Sequence, residues 1–174
     1  GNLTRVVRLS EGTTYPFIDW DIAYDDHGQP VEITHPADAA GRGRKDMLTW
    51  WQGRMASYVE DGGPGGLALT NAFEYDARGN LTRLVDPRGN DVLITCNALN
   101  QRMSIAKQTQ GATFGERVKT SFTYDANNNV VGVVTDNRHP DGRFVASNPT
   151  WETVIGYDAL NRPTLLGHEL THTA

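Results

Sequence analysis

The sequence holds a single cysteine, Cys96, so no disulfide can close within the chain and nothing in it reads as a disulfide-stapled scaffold. Cys96 stands where related segments carry tyrosine, which favours burial as a small apolar residue. No apolar run approaches the ~20 residues that span a membrane as a helix. There is no excess of positive charge: 16 Lys and Arg against 21 Asp and Glu give a formal charge of −5, which argues against a nucleic-acid partner. Long helical periodicity is also missing, because bend signals interrupt the chain every ten to fifteen residues or so. The glycine run Gly62-Gly63-Pro64-Gly65-Gly66 lacks the Lys-Ser/Thr and following helix of a phosphate-binding loop, and it reads as a flexible connector.

What the chain does have is a recurring bend. Residues 72–90 contain Tyr75-Asp76-Ala77-Arg78-Gly79-Asn80-Leu81-Thr82, where Asp76 and Gly79 occupy the first and fourth positions of a tight turn. An Asp at the first position accepts hydrogen bonds from the turn's own backbone, and a Gly at the fourth adopts positive φ and forms a bulge re-entering the pair. Phe73 to Tyr75 and Leu81 to Val85 are therefore predicted as antiparallel strands around it. The unit repeats at Tyr24-Asp25-Asp26-His27-Gly28, at Tyr124-Asp125-Ala126-Asn127-Asn128 and at Tyr157-Asp158-Ala159-Leu160-Asn161. In the last two, Asn128 and Asn161 replace glycine; Asn is the other residue that tolerates the left-handed region. Cys96-Asn97-Ala98-Leu99-Asn100 is a decayed copy, and Thr49 to Met55, with Trp50, Trp51 and Gly53, is a more distant one.

The remaining chain fills in between these bends. Strands are expected at 3–9, 17–24, 31–34, 91–96, 117–124, 130–135 and 151–157, with the 31–34 strand stopping at His35-Pro36 because proline cannot donate to a ladder. Residues 37–46, including Gly41-Arg42-Gly43-Arg44-Lys45, read as a loop, and 136–150 as another. The valines at 130, 131, 133 and 134 suggest a strand buried on both faces. Gly1-Asn2-Leu3-Thr4 repeats Gly79-Asn80-Leu81-Thr82 without a preceding Tyr-Asp, so residues 1–174 are expected to be one repeat segment cut from a longer chain at both ends. The expected fold class is all-β: antiparallel β-hairpin repeats forming a segment of a winding sheet.

These units, with Tyr24, Asp25, Gly28, Tyr75, Asp76, Gly79, Tyr124, Asp125, Tyr157, Asp158 and Asn161, resemble the repeat of the Rhs/YD-repeat family of bacterial polymorphic toxins, toxin-complex subunits and teneurins. The resemblance implies a β-sheet shell that encloses a toxin until delivery, with structural motif residues, no catalytic residue and no cofactor. It further implies a secreted or cell-surface bacterial protein. Its partners would be the remainder of the same shell, or other chains along the sheet edges, and an enclosed toxin cargo. The family's Asp-Pro-x-Gly-x-x-x-Asp-Gly segment is not completed after Asp86-Pro87-Arg88-Gly89, so self-cleavage is not assigned.

Two other readings stand beside this one. Residues 168–172 spell His-Glu-x-x-His, resembling the zincin peptidase motif: on a helix His168 and His172 would bind zinc and Glu169 would act as base on a bound water. Against it, the motif directly continues the Tyr157 unit, where every other copy has a strand, and on a strand the helical His pair is lost. The third reading is adhesion or carbohydrate binding through Trp50, Trp51 and Trp151, residues that serve equally as sheet packing.

Overall fold

The structure is a computed structural model, and it describes residues 1–9, 17–37, 41, 43–108, 117–139 and 143–169. Among these residues the regular structure is thirteen β-strands, and no helix is present. They are β1 (Arg5–Leu9), β2 (Phe17–Tyr24), β3 (Pro30–Ala37), β4 (Gly43–Trp51), β5 (Arg54–Glu60), β6 (Leu69–Tyr75) and β7 (Leu81–Val85). The others are β8 (Asp91–Cys96), β9 (Arg102–Gln108), β10 (Arg117–Tyr124), β11 (Val130–Asp136), β12 (Thr150–Tyr157) and β13 (Pro163–Glu169). The fold is all-β, an antiparallel meander in which strands pair in the order of the sequence. The chain divides into two units, residues 1–74 with 85–89, and residues 75–84 with 90–174.

Alternation along each strand gives the sheet of each unit two unlike faces. In the first unit, register places Val6, Trp20, Ile22, Ile33, Leu48 and Tyr58 on one side, with Asp46 among them. Arg5, Asp21, Thr34, Lys45, Thr49 and Ser57 take the other side. In the second unit, Ile94, Ile105, Thr120, Thr135 and Trp151 form one cross-strand row, and Phe122, Val133, Thr153 and His168 lie beside it. Ser104, Lys119, Ser121 and Glu152 face the opposite way. Leu48 is the buried hydrophobic residue among those described, at 8% exposure, so the apolar faces stay half-exposed. A β-sheet normally buries its apolar face against a second layer.

Three expectations are corrected. The third strand does not stop before His35-Pro36 but runs through to Ala37. Its register with β4 jumps from Thr34↔Lys45 to Ala37↔Gly43, so Pro36, which has no N–H to donate, falls inside a bulge. The expected loop at 37–46 is in fact strand from Gly43 onward, because Arg44 and Lys45 are held across the sheet by Glu60 and Glu32; Arg42 lies outside the described residues. Strand β11 is half-buried along its length and is not buried on both faces. Within the expected loop at 136–150, Asn137, Arg138, Phe144 and Val145 form a short bridged arm, in which Asn137 Nδ2 donates to the Asn148 carbonyl at 2.7 Å.

The bulge at Pro36 presses backbone onto β4: a Cβ on Gly43 would sit 2.7 Å from the His35 carbonyl oxygen. Gly43→Ala is expected to destabilise the chain by about 1–3 kcal/mol, since the obstacle is main chain and cannot rotate away. Gly167→Ala, where a Cβ meets the Val154 carbonyl at 3.9 Å, is expected to stay within about 0.5 kcal/mol. Urea denaturation of both variants checks the contrast.

Candidate functional site

The Tyr-Asp bends share one construction. In each, the first-position side-chain oxygen accepts backbone N–H bonds from residues two and four further on. Asp25 takes His27 and Gln29, Asp76 takes Arg78 and Asn80, and Asp125 takes Asn127 and Asn129. Asp158 takes Leu160 and Arg162, and the decayed copy does the same with Asn97, at 2.9 Å to Leu99 and 3.1 Å to Gln101. The fourth residue donates its N–H back to the first carbonyl in every copy. That residue is always left-handed, with φ of 78° at Gly28, 89° at Gly79, 62° at Asn100, 70° at Asn128 and 59° at Asn161. This is a type I turn followed by a glycine-type bulge.

Hydrogen bonds to the charged form hold the Asp76, Asp125 and Asp158 carboxyls below the usual range. The Asn80 side chain does most for Asp76, the Asn129 side chain for Asp125 and the Arg162 side chain for Asp158.

Adjacent bends are tied together sideways, which no single copy reveals. The tyrosine of one bend reaches the carbonyl of the sixth residue after the aromatic position of the bend before it. Tyr124 donates to Arg102 at 2.8 Å and Tyr157 to Val130 at 3.1 Å; Tyr24 donates to the carbonyl of Leu3, which matches Leu81 in the repeated Gly-Asn-Leu-Thr half-unit, at 2.7 Å. Trp50 fills the same seat, its indole N–H donating to Pro30 at 2.7 Å. The Thr49–Met55 copy is thus the Tyr unit with tryptophan as donor, and its bend is one residue shorter: Gln52 and Gly53, at φ 48° and 75°, make a two-residue turn of the primed kind.

A second link joins amides. Asn80 donates to the Asn100 side chain at 2.9 Å, Gln101 to Asn128 at 2.6 Å and Asn129 to Asn161 at 2.9 Å. Asparagine in the left-handed position therefore supplies an acceptor that glycine lacks, and the turn keeps its shape.

Two buried carboxylates brace the sheet away from these bends. Asp46 is 2% exposed; its Oδ2 accepts from the Tyr58 hydroxyl at 2.7 Å, Arg44 at 3.0 Å and His35 Nε2 at 2.8 Å, and its Oδ1 accepts from the Asp61 N–H at 3.1 Å. Burial pushes this carboxyl up, but the Tyr58, Asp61 and His35 contacts together outweigh it and the net direction is down. The same bond to Asp46, aided by burial, pushes the Tyr58 hydroxyl up to about 12. Asp91, 6% exposed, receives Arg117 at 2.6 Å and Arg83 at 3.1 Å; burial again opposes these contacts and they prevail. Sequence reasoning missed both. Their signal was an aspartate at a strand position, where that residue is depleted, and for Asp46 one in alternation with Leu48 on an apolar face.

His168 lies on strand β13, with Nδ1 2.8 Å from the Thr153 hydroxyl and its ring stacked on Trp151 at 6.3 Å between centroids. Glu169 ends the same strand, and His172 lies outside the described residues. Among the described residues, no group of three or more His, Cys, Asp or Glu side chains gathers in a way that could hold a metal ion. Trp50 is committed to Pro30, and Trp51 is exposed beside the two-residue turn.

No family model and no curated protein matches the sequence. In structure the chain is similar to one in the crystal structure of a TcdB2-TccC3-Cdc42 complex, with a TM-score of 0.51 at 12% identity over 90% of this chain. The match takes in 9% of that much longer chain, and at this identity the likeness is one of fold.

The folded pKa values of Asp46, Asp91, Asp76, Asp125 and Asp158 lie below the ordinary 3.8. Their contribution is therefore complete above that value and is lost as pH falls through the lowered ones. The urea midpoint is expected to be level above pH ~5 and to fall below pH ~4, with a shallower fall in Asp91→Asn. At neutral pH, Asn128→Gly should cost under ~1 kcal/mol, since it removes one exposed amide link and keeps the turn. Asn128→Val, which is β-branched at positive φ, should cost more.

Proposed function

We propose that this chain is a wall segment of a YD-repeat β-shell that encloses or scaffolds a toxin for delivery. On this reading it is non-catalytic, needs no cofactor, and belongs to a secreted or cell-surface protein. The observation that carries the reading is the sideways seat. Tyr24, Trp50, Tyr124 and Tyr157 each donate to a neighbouring bend, and Asp25, Asp76, Asn97, Asp125 and Asp158 each give a side-chain oxygen to their own. Residues so engaged build and space a sheet. The fold likeness to a toxin-complex chain supports the same reading. The strand geometry at His168, with its ring nitrogen on Thr153, supports a packing role for that histidine over a zincin helix.

The wall reading is tested on the full-length protein that carries this segment, by limited proteolysis with mass spectrometry. The enclosed region is expected to resist protease until denaturant opens the wall; digestion as fast as that of the same region expressed alone would overturn enclosure. Zinc titration with a peptide-hydrolysis assay, on a chain extended past Ala174, tests the non-catalytic part. Stoichiometric zinc binding and hydrolysis, both lost in His168→Ala, would overturn it.

A further inference from the structure

The aromatic seats latch four seams of the sheet at the bend end. Tyr24 on the Leu3 carbonyl ties the end of β2 to the approach to β1, and Trp50 on Pro30 ties β4 to β3. Tyr124 on Arg102 ties β10 to β9, and Tyr157 on Val130 ties β12 to β11. The seam between β7 and β8 is laid out on the same plan. The bend after Tyr75 closes with the Asp76 N–H on the Asn80 carbonyl and the Gly79 N–H on the Asp76 carbonyl, both at 2.9 Å, as the bend after Tyr124 closes through Asp125, Asn128 and Asn129. Leu81 follows in Gly79-Asn80-Leu81-Thr82 where Leu3, whose carbonyl Tyr24 takes, follows in Gly1-Asn2-Leu3-Thr4. The residue due on the Leu81 carbonyl is the last of β8, and it is Cys96.

A cysteine cannot fill that seat. Its sulfur is carried on Cβ, a full ring short of where a tyrosine carries its hydroxyl, and S–H is a weak donor. Cys96 is a free, half-buried thiol. Two lighter ties stand at this end of the seam, both exposed: Asn80 to the Asn100 side chain at 2.9 Å and Arg78 to the Asn97 carbonyl at 3.5 Å. The other end is fastened hard. Asp91, which opens β8 and is 6% exposed, takes Arg83 of β7 at 3.1 Å and Arg117 of β10 at 2.6 Å. The seam is therefore clamped at one end and unlatched at the other.

We propose that the β7–β8 seam is a built-in point of local opening: it parts from the bend end, at residues 81–82 and 94–96, and turns on Asp91 with its two arginines, while the four latched seams stay shut. Local opening is governed by the few bonds that close a region, not by the stability of the whole chain. One hydrogen bond changes the open fraction about fivefold. Opening brings the Cys96 thiol into solvent, so the residue that leaves the seat empty also reports when the seam is apart. This inference stands on the bends alone and does not rest on the wall reading; in a wall, this seam would part first.

Amide exchange on the 174-residue chain, read by mass spectrometry, is expected to show about fivefold lower protection at 94–96 than at 122–124, the matching end of β10. Cys96→Tyr, which supplies the missing donor, should raise protection at 94–96 about fivefold, whereas Cys96→Phe, which supplies the ring without the hydroxyl, should not. Tyr124→Phe should bring 122–124 down to the level of 94–96. Iodoacetamide should alkylate Cys96 in native buffer at a rate that low urea leaves unchanged, as local opening requires, and that measurement needs no variant. Alkylation that rises with urea in step with global unfolding, equal protection at the two strand ends, or equal gains from tyrosine and phenylalanine at position 96 would overturn the proposal. None of these outcomes bears on enclosure, which protease resistance tests separately.

Discussion

The structure depends on one carboxylate or amide oxygen collecting two backbone N–H groups at each bend. An antiparallel pair that reverses within four residues leaves those donors with no ladder partner, and an unpaired donor costs more than a made bond returns. Asp25, Asp76, Asp125, Asp158 and Asn97 each supply the acceptor from inside the turn. Once the donors are satisfied and the fourth residue takes positive φ, the bulge sends the chain back with a fixed twist. Each strand is then delivered to its neighbour in one register.

That constraint explains why the motif aromatic can work sideways. Because the bends after Tyr24, Cys96 and Tyr124 share one shape, the sixth residue after each of these positions presents its carbonyl at the same place. A tyrosine hydroxyl or a tryptophan N–H on the following strand then finds it without adjustment. Asparagine in the left-handed seat adds a second tie through its side chain. These bonds are individually modest and exposed. Their effect is to hold successive hairpins at one spacing, a cumulative result that suits an array in which each unit touches only its neighbours.

Among the described residues little apolar surface is buried, Leu48 being the buried hydrophobic one. The described residues compensate with polar bracing: Asp46 joins β3, β4 and β5 through His35, Arg44 and Tyr58, and Asp91 draws in Arg83 and Arg117 from β7 and β10. Each buried carboxylate is matched by several donors, which is the condition under which a charge can be buried at all. Removing one partner would leave the others facing an uncompensated charge, so these clusters are more sensitive to substitution than any single exposed bend.

The sequence by itself determined the all-β class and the strand limits at β2, β7 and β8, because turn chemistry is local: Asp and Gly three residues apart carry their own hydrogen bonds and backbone angle wherever they occur. It misjudged residues 35–45, because whether a proline ends a strand or sits in a bulge depends on the strand opposite. Only the tertiary structure decided that Trp50 is a tyrosine equivalent, that Asn128 and Asn161 are links as well as turn residues, and that Asp46 and Asp91 are buried braces. All of these are relations between residues 11 to 32 positions apart. A linear pattern can mark such a residue as unusual for its strand, but it cannot supply the partner that the register places beside it.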